Sequence, residues 1–122
     1  MAVAYLGSIT VDCDDPAVLA NFWAELLGGV IAASSEKFVG VKLPHVILTA
    51  IRIPNYQPPF WPDQNPPKQI HLDLSVADLD AAQAEAVRLG ARLCDYQPAP
   101  DKRRVLLDPA GHPFCLCLPR SP

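Results

Sequence analysis

The strongest constraint on this chain is that it repeats itself. Ile9-Thr10-Val11-Asp12 and Ile70-His71-Leu72-Asp73 are both strand-like alternations ending in Asp, and they lie 61 residues apart in a chain of 122. Each runs into a helix signal. In the first copy Asp14-Asp15 offers an N-cap and Pro16 stands at the first helical position. Val18, Leu19, Phe22, Trp23, Leu26 and Leu27 then recur at three- and four-residue spacing until Gly28-Gly29 stops them. In the second copy Asp78 caps, Leu79, Ala82, Ala86, Val87 and Leu89 make the stripe, and Gly90 ends it. Asp12 to Gly29 and Asp73 to Gly90 are both 17 residues. Chance produces one short match easily. It rarely matches strand, helix length and glycine stop together.

Three short strands are expected after each glycine. In the first half they fall at about 30–33, 37–43 and 45–53, and in the second at about 92–95, 103–107 and 113–118. The order is β-α-β-β-β, twice. Eight of the 14 prolines lie in two clusters, Pro54 to Pro67 and Pro98 to Pro100. The first cluster reads as the linker between copies. Asp108-Pro109-Ala110-Gly111 reads as a type I or II turn between the last two strands. The fold class is α+β. One domain spans 1–122, with module one at about 1–54, linker at about 55–67 and module two at about 68–122.

These segments resemble the vicinal-oxygen-chelate superfamily, in its glyoxalase-like, bleomycin-resistance-like branch. The resemblance rests on Val11-Asp12-Cys13-Asp14-Asp15-Pro16 with Phe22-Trp23 and Leu27-Gly28. It rests also on Gln69-Ile70-His71-Leu72-Asp73-Leu74 with Asp78-Leu79-Asp80 and Leu89-Gly90-Ala91, and on Leu107-Asp108-Pro109-Ala110-Gly111-His112-Pro113-Phe114. It implies two βαβββ modules side by side, their sheets curled into an open cup. It also implies a divalent metal in that cup, held by the first and last strands of each module. Thr10 falls at the first-strand position of module one and His71 at that of module two. The last-strand position of module two, usually Glu, is Cys115; its module-one counterpart falls between Leu48 and Ile51. The set departs from the family pattern. A hard cation wants carboxylates or imidazoles and zinc wants three or four ligands, whereas His71 and Cys115 offer two. No resident cofactor is expected, and His71 and Cys115 are the residues that would hold a divalent metal.

Read by themselves, the residues leave alternatives. Period two puts His71 and Asp73 on one strand face and Ile70 and Leu72 on the other, with Thr10 and Asp12 on the equivalent face of the sister strand. That face either lines the cup, with His71 as proton carrier or hydrogen-bond donor, or carries satisfied polar groups at strand ends. Cys115 and Cys117 share a face, and either look into the cup or are small core thiols. His112 either reaches the rim or shapes the turn before Pro113. Phe60 and Trp61, on the stiff proline-rich linker, either cover an apolar cavity or pack back on the core. Trp23 is core, and the Lys102-Arg103-Arg104 cluster is a solvated hairpin end.

Bulk properties exclude several classes. With 50% hydrophobic and 19% charged residues the chain is globular. Its net charge of −3 and short basic cluster argue against nucleic acid. No apolar run approaches the roughly 18 residues of a membrane span. No charged leader precedes the first strand, and four cysteines without a CxxC motif fit a reducing compartment, so a cytoplasmic location is expected. No G-x-S-x-G, paired-carboxylate or phosphate-loop motif is present. The reading is a glyoxalase-like protein that binds a small organic molecule in the cup as a homodimer. A metal-dependent lyase or dioxygenase is the alternative, and a non-catalytic dimerising module the third.

Overall fold

The computed structural model describes residues 2–59 and 70–119. Within it the chain divides into two compact units, Met1–Gln57 and Pro58–Pro122. Each is a βαβββ module, as the internal repeat requires.

Module one runs β1 (Ser8–Cys13), α1 (Pro16–Leu27), β2 (Val30–Ser34), β3 (Phe38–Lys42) and β4 (Ile47–Arg52), in a sheet of order β1-β4-β3-β2. The helix starts where the sequence puts its cap: Asp15 Oδ1 accepts the Val18 N–H at 3.2 Å, and Pro16 fills the first turn without wasting a donor. It stops at Gly28, whose φ of 73° is left-handed and favours glycine. The first strand lies parallel to the last, Thr10 opposite Thr49 and Asp12 opposite Ile51. Leu19, Ala20, Phe22 and Trp23 are buried with Val39, Val41, Leu48 and Ala50, and the Phe22 and Trp23 rings meet edge to face at 5.1 Å. Burial of each large side chain is worth about 1.5–3 kcal/mol. Val18 departs from the expected stripe, being 51% exposed. It sits about 100° around the helix from Leu19, and the sheet reaches only one side.

Module two repeats the plan with β5 (Leu72–Ser75), α2 (Leu79–Leu89), β6 (Arg92–Leu93), β7 (Arg103–Leu107) and β8 (Pro113–Cys117), in the order β5-β8-β7-β6. Asp78 Oδ1 accepts the Ala81 N–H at 3.0 Å, and Gly90 ends the helix at a φ of 126°. Pairing along the first strand begins at Leu72, so Ile70 and His71 precede the ladder instead of opening it.

Two further expectations are corrected. The strand expected over 92–95 is two residues long, because a side chain takes over from the backbone. The Gln97 amide donates to the Cys94 and Val105 carbonyls at 2.9 and 2.8 Å, and its oxygen accepts the Val105 N–H at 2.9 Å. Arg104 is no solvated hairpin end. Its guanidinium reaches back to α2, donating to Asp80 Oδ1 at 3.0 Å and Gln83 Oε1 at 2.8 Å. This also fixes the sides of the sheet. Arg104 pairs with Leu116, so the helix covers the face of Arg104 and Leu116, and Cys115 belongs to the other.

A candidate metal and ligand site on the open face of module two

That other face brings the chemistry together. β5 lies parallel to β8 with Asp73 opposite Cys115 and Ser75 opposite Cys117. His71 Nε2 is 3.2 Å from Asp73 Oδ1. A donor atom from each of His71, Asp73 and Cys115 lies within 4.8 Å of the others, the one such group of three among the described residues. Cys117 Sγ donates toward the same Asp73 oxygen at 4.0 Å, a long contact even for sulfur. His71 and Asp73 stay accessible, their side chains 37% and 59% exposed, while Cys115 is buried at 8%.

Burial pushes the Cys115 thiol up to about 11, helped by the negative charge of Asp73 and by Cys117 and opposed by Arg103. At neutral pH the side chain is therefore a neutral thiol that donates to the Asp73 carboxylate, and a poor nucleophile.

In module one Thr10 stands where His71 does, Asp12 where Asp73 does, and Ile51, opposite Asp12, where Cys115 does; the hydroxyls cluster one step away. Ser8 Oγ and Thr49 Oγ1 are 3.2 Å apart, and Thr10 is the cross-strand partner of Thr49. Gly40, opposite Thr49 on β3, leaves this face shallow. The crevice behind it, lined by Val11, Leu19, Trp23, Val41 and Ala50 among others, does not admit a water molecule. It is a packing seam between helix and sheet.

The other expected site residues fall elsewhere. Asp12 is exposed on β1, outside the His71 group. The backbone N–H groups of His112 and Ala110 both donate to Asp108 Oδ1, at 3.0 and 2.9 Å, and the Asp108 N–H donates to the His112 carbonyl. His112 thus closes the turn that carries the chain into β8. Phe60 and Trp61 lie outside the described residues. Alternation along the strand puts Asp73 on the His71 face, and the structure adds that it lies opposite Cys115. The signal was there in the alternation of β5, but only the β5–β8 register places Asp73 beside Cys115.

The resemblance implies a divalent metal, and the donors decide how well one fits. Threonine hydroxyls at Thr10 and Thr49 are poor ligands for a hard cation. Imidazole, carboxylate and thiol together in module two suit a borderline-soft one.

The sequence model of the glyoxalase-like domain matches residues 8–117. The chain belongs to the glyoxalase-like domain family. Solved structures agree on the fold. A glyoxalase-related enzyme from Fulvimarina pelagi superposes with a TM-score of 0.70 at 18% identity, over 96% of this chain and 89% of that one. The bleomycin-binding protein of bleomycin-producing Streptomyces verticillus, complexed with copper(II)-bleomycin, gives 0.60 at 20% identity, over 98% and 100%. A variant of the fosfomycin resistance protein FosX from Listeria monocytogenes, complexed with Mn(II) and 1S,2S-dihydroxypropylphosphonic acid, gives 0.72 at 13% identity, over 98% and 93%. No curated protein matches the sequence. None of the helices among the described residues is long and apolar enough to cross a membrane.

Proposed function

We propose that this glyoxalase-like protein binds a small, partly apolar organic molecule on the open, polar faces of its sheets. The carrying observation is the accessible His71–Asp73 pair beside the neutral Cys115 thiol, on the face away from α2. Such a surface offers an imidazole, a carboxylate and a thiol donor within reach of one ligand. Thr10, Asp12 and His112, with Phe60 and Trp61 from the linker, complete the proposed contact set. The Streptomyces verticillus relative, complexed with copper(II)-bleomycin, supports sequestration as a mode of action for the fold. The protein would work in the cytoplasm as a homodimer. Its four free thiols suit a reducing compartment.

Calorimetric titration of chelator-treated protein with a panel of small aromatic and glycopeptide ligands, copper(II)-bleomycin among them, tests this. A saturable ligand whose affinity falls about tenfold in His71→Ala or Thr10→Val is expected, each residue supplying roughly one hydrogen bond to a partly desolvated ligand. Binding that neither substitution alters would exclude these faces.

A second reading, a metal-dependent lyase or dioxygenase of the vicinal-oxygen-chelate type, is favoured by the same convergence of donors. His71, Asp73 and Cys115 would hold the cation, which when bound supplies Lewis-acid polarisation of a substrate oxygen. The protein's own part would be to hold Asp73 beside Cys115 through the β5–β8 register, with the His71 imidazole within reach of Asp73. Metal-dependent turnover of a small-molecule substrate separates this reading from sequestration.

A further inference from the structure

We infer that Arg103 makes the open face of module two selective for an organic anion, its guanidinium taking the ligand's carboxylate or phosphonate beside the Ser75 hydroxyl and the Cys117 thiol. The inference rests on the small-molecule reading above and names the class of ligand. The register of the sheet builds the site. Ser75 on β5, Cys117 on β8 and Arg103 on β7 stand opposite one another in a single row. Residues directly opposite across a ladder share a face, so this row lies on the side away from α2, one step along from the row of Asp73, Cys115 and Val105. Hydroxyl, thiol and guanidinium can all donate hydrogen bonds, and no acid stands in the row. Two strand spacings of about 4.8 Å separate the Arg103 backbone from that of Ser75, a span that an arginine side chain lying over β8 largely covers. The Arg103 charge is felt on β8, where it favours ionisation of the Cys115 thiol against the larger effects of burial and Asp73.

The neighbouring arginines are engaged, and Arg103 is not. Arg104, next in the chain and on the other face, bonds Asp80, Gln83 and the Pro100 carbonyl. Arg88 pairs with Glu85 on α2. Arg92 shares the open face, but Asp95 lies close enough that both charges are felt at Cys94. The Arg103 residue is exposed, and its side chain has no hydrogen bond or ion pair among the described residues. A chain of net charge −3 does not attract anions at long range, so a local donor must supply the attraction. Arginine suits that task, because two parallel N–H groups of its rigid fork match two oxygens of a carboxylate or phosphonate. Asp73, in the next row and beside His71, repels an anion. The two charges therefore orient the ligand, its anionic end over β7 and its neutral end toward His71.

Chelator-treated protein, in which no bound cation attracts the anion, is titrated calorimetrically with benzoate, phenylphosphonate and neutral benzamide, which share one ring. Wild type at low ionic strength is expected to bind at least one of the anions about tenfold more tightly than the amide, the scale of one charge-assisted pair at a partly exposed site. Arg103→Gln removes the preference and leaves amide binding unchanged. Arg103→Lys, which keeps the charge and loses the fork, restores part of it. Lys102→Gln removes the same charge one residue away and leaves the preference intact. Circular dichroism of every variant separates lost folding from lost binding. His71→Ala separates this inference from the reading it rests on. A variant that binds all three compounds more weakly but keeps the preference supports both. An unchanged His71→Ala with the preference still lost in Arg103→Gln counts against the His71 contact and supports Arg103. Equal binding of anions and amide by wild type, failure to bind either anion, survival of the preference in Arg103→Gln, or its loss in Lys102→Gln overturns the inference.

Discussion

Asp108 is the sole buried charged side chain among the described residues, at 2% exposure, and it earns that place through the turn. Its Oδ1 takes two backbone N–H groups that would otherwise be orphaned where the chain enters β8. Asp108→Ala is expected to cost about 1–3 kcal/mol, the desolvation penalty of the abandoned donors, with Asp108→Asn recovering part of it through its amide oxygen. Urea denaturation at neutral pH measures both, and an Ala variant as stable as wild type would show that water replaces the carboxylate. Cys115 yields a pH prediction. Folding raises its pKa from 9.0 to about 11, so the folded state favours the thiol. The associated stability is complete below pH 9 and is lost as pH climbs toward 11, where the unfolded chain ionises first. In metal-free protein, Cys115→Ala should therefore show a shallower fall in melting temperature across that window; parallel curves would refute it. His71 and Cys115 stand out in the sequence by residue type. Asp73 does not, because an Asp at a strand end is ordinary, and what makes it central is its partner across the ladder.

The helices show why some elements can be read directly and others cannot. Both N-caps, Asp15 and Asp78, bond the backbone three residues on, and both glycine stops hold positive φ. These are local interactions within a single turn, so the spacing of residues along the chain specifies them. β6 is shorter than its sequence suggests because Gln97 bonds across to Val105, a contact that depends on folding and has no local signature. The parallel pairing of first and last strands is likewise non-local and leaves no signature in the spacing of residues along the chain. The Gly28-Gly29 pair gives a test at this scale. Gly28 is left-handed but open, with nothing within 4 Å of an added Cβ. Gly28→Ala should cost about 1–2 kcal/mol from backbone strain alone. Gly29 has no such φ, yet an added Cβ would meet Val41 Cγ1 at 2.6 Å, Leu43 Cδ2 at 2.9 Å and the Lys42 carbonyl at 3.0 Å. The carbonyl belongs to the sheet and cannot rotate away. Gly29→Ala should therefore be the more damaging of the two by chemical denaturation, and the reverse order would mean that β3 yields easily.

At the scale of the whole molecule, module one carries exposed apolar side chains on and beside the outer strand of its sheet. β2 is the outer strand of its sheet, and all five of its residues, Val30 to Ser34, are exposed and uncharged. Val30 is 67% and Ile31 38% exposed, and Phe38 and Ile47 on the same module are exposed at 41% and 40%. Soluble proteins usually defend such an edge with lysine, proline or a bulge, since it is a template for another strand. Only the bulge is present, as a register shift between Ile31 and Ala33. It interrupts the ladder, so contact with another molecule should run through side chains more than through backbone bonds: Val30 and Ile47 stand in register with Lys42 on one face of the sheet, and Ile31, in register with Val41, on the other. A second copy of the chain meets this need most simply, because a two-fold axis presents the same patch to itself and closes the assembly. A stable contact would bury about 1,200–2,000 Å² in total. The expected state in solution is a homodimer, twice the 13.2 kDa chain. Replacing Val30 and Ile47, which share one face, with Lys should shift it to monomer, because two like-charged pairs would then face each other across the axis. Neither side chain is part of the buried core, so the helical circular dichroism should survive the change. Sedimentation equilibrium across a hundredfold range of concentration, roughly 2.7 kcal/mol in binding free energy, decides the matter. A wild-type mass of 13.2 kDa at every concentration would sink the dimer, and a dimer that persists in the double-lysine variant would place its interface on another surface.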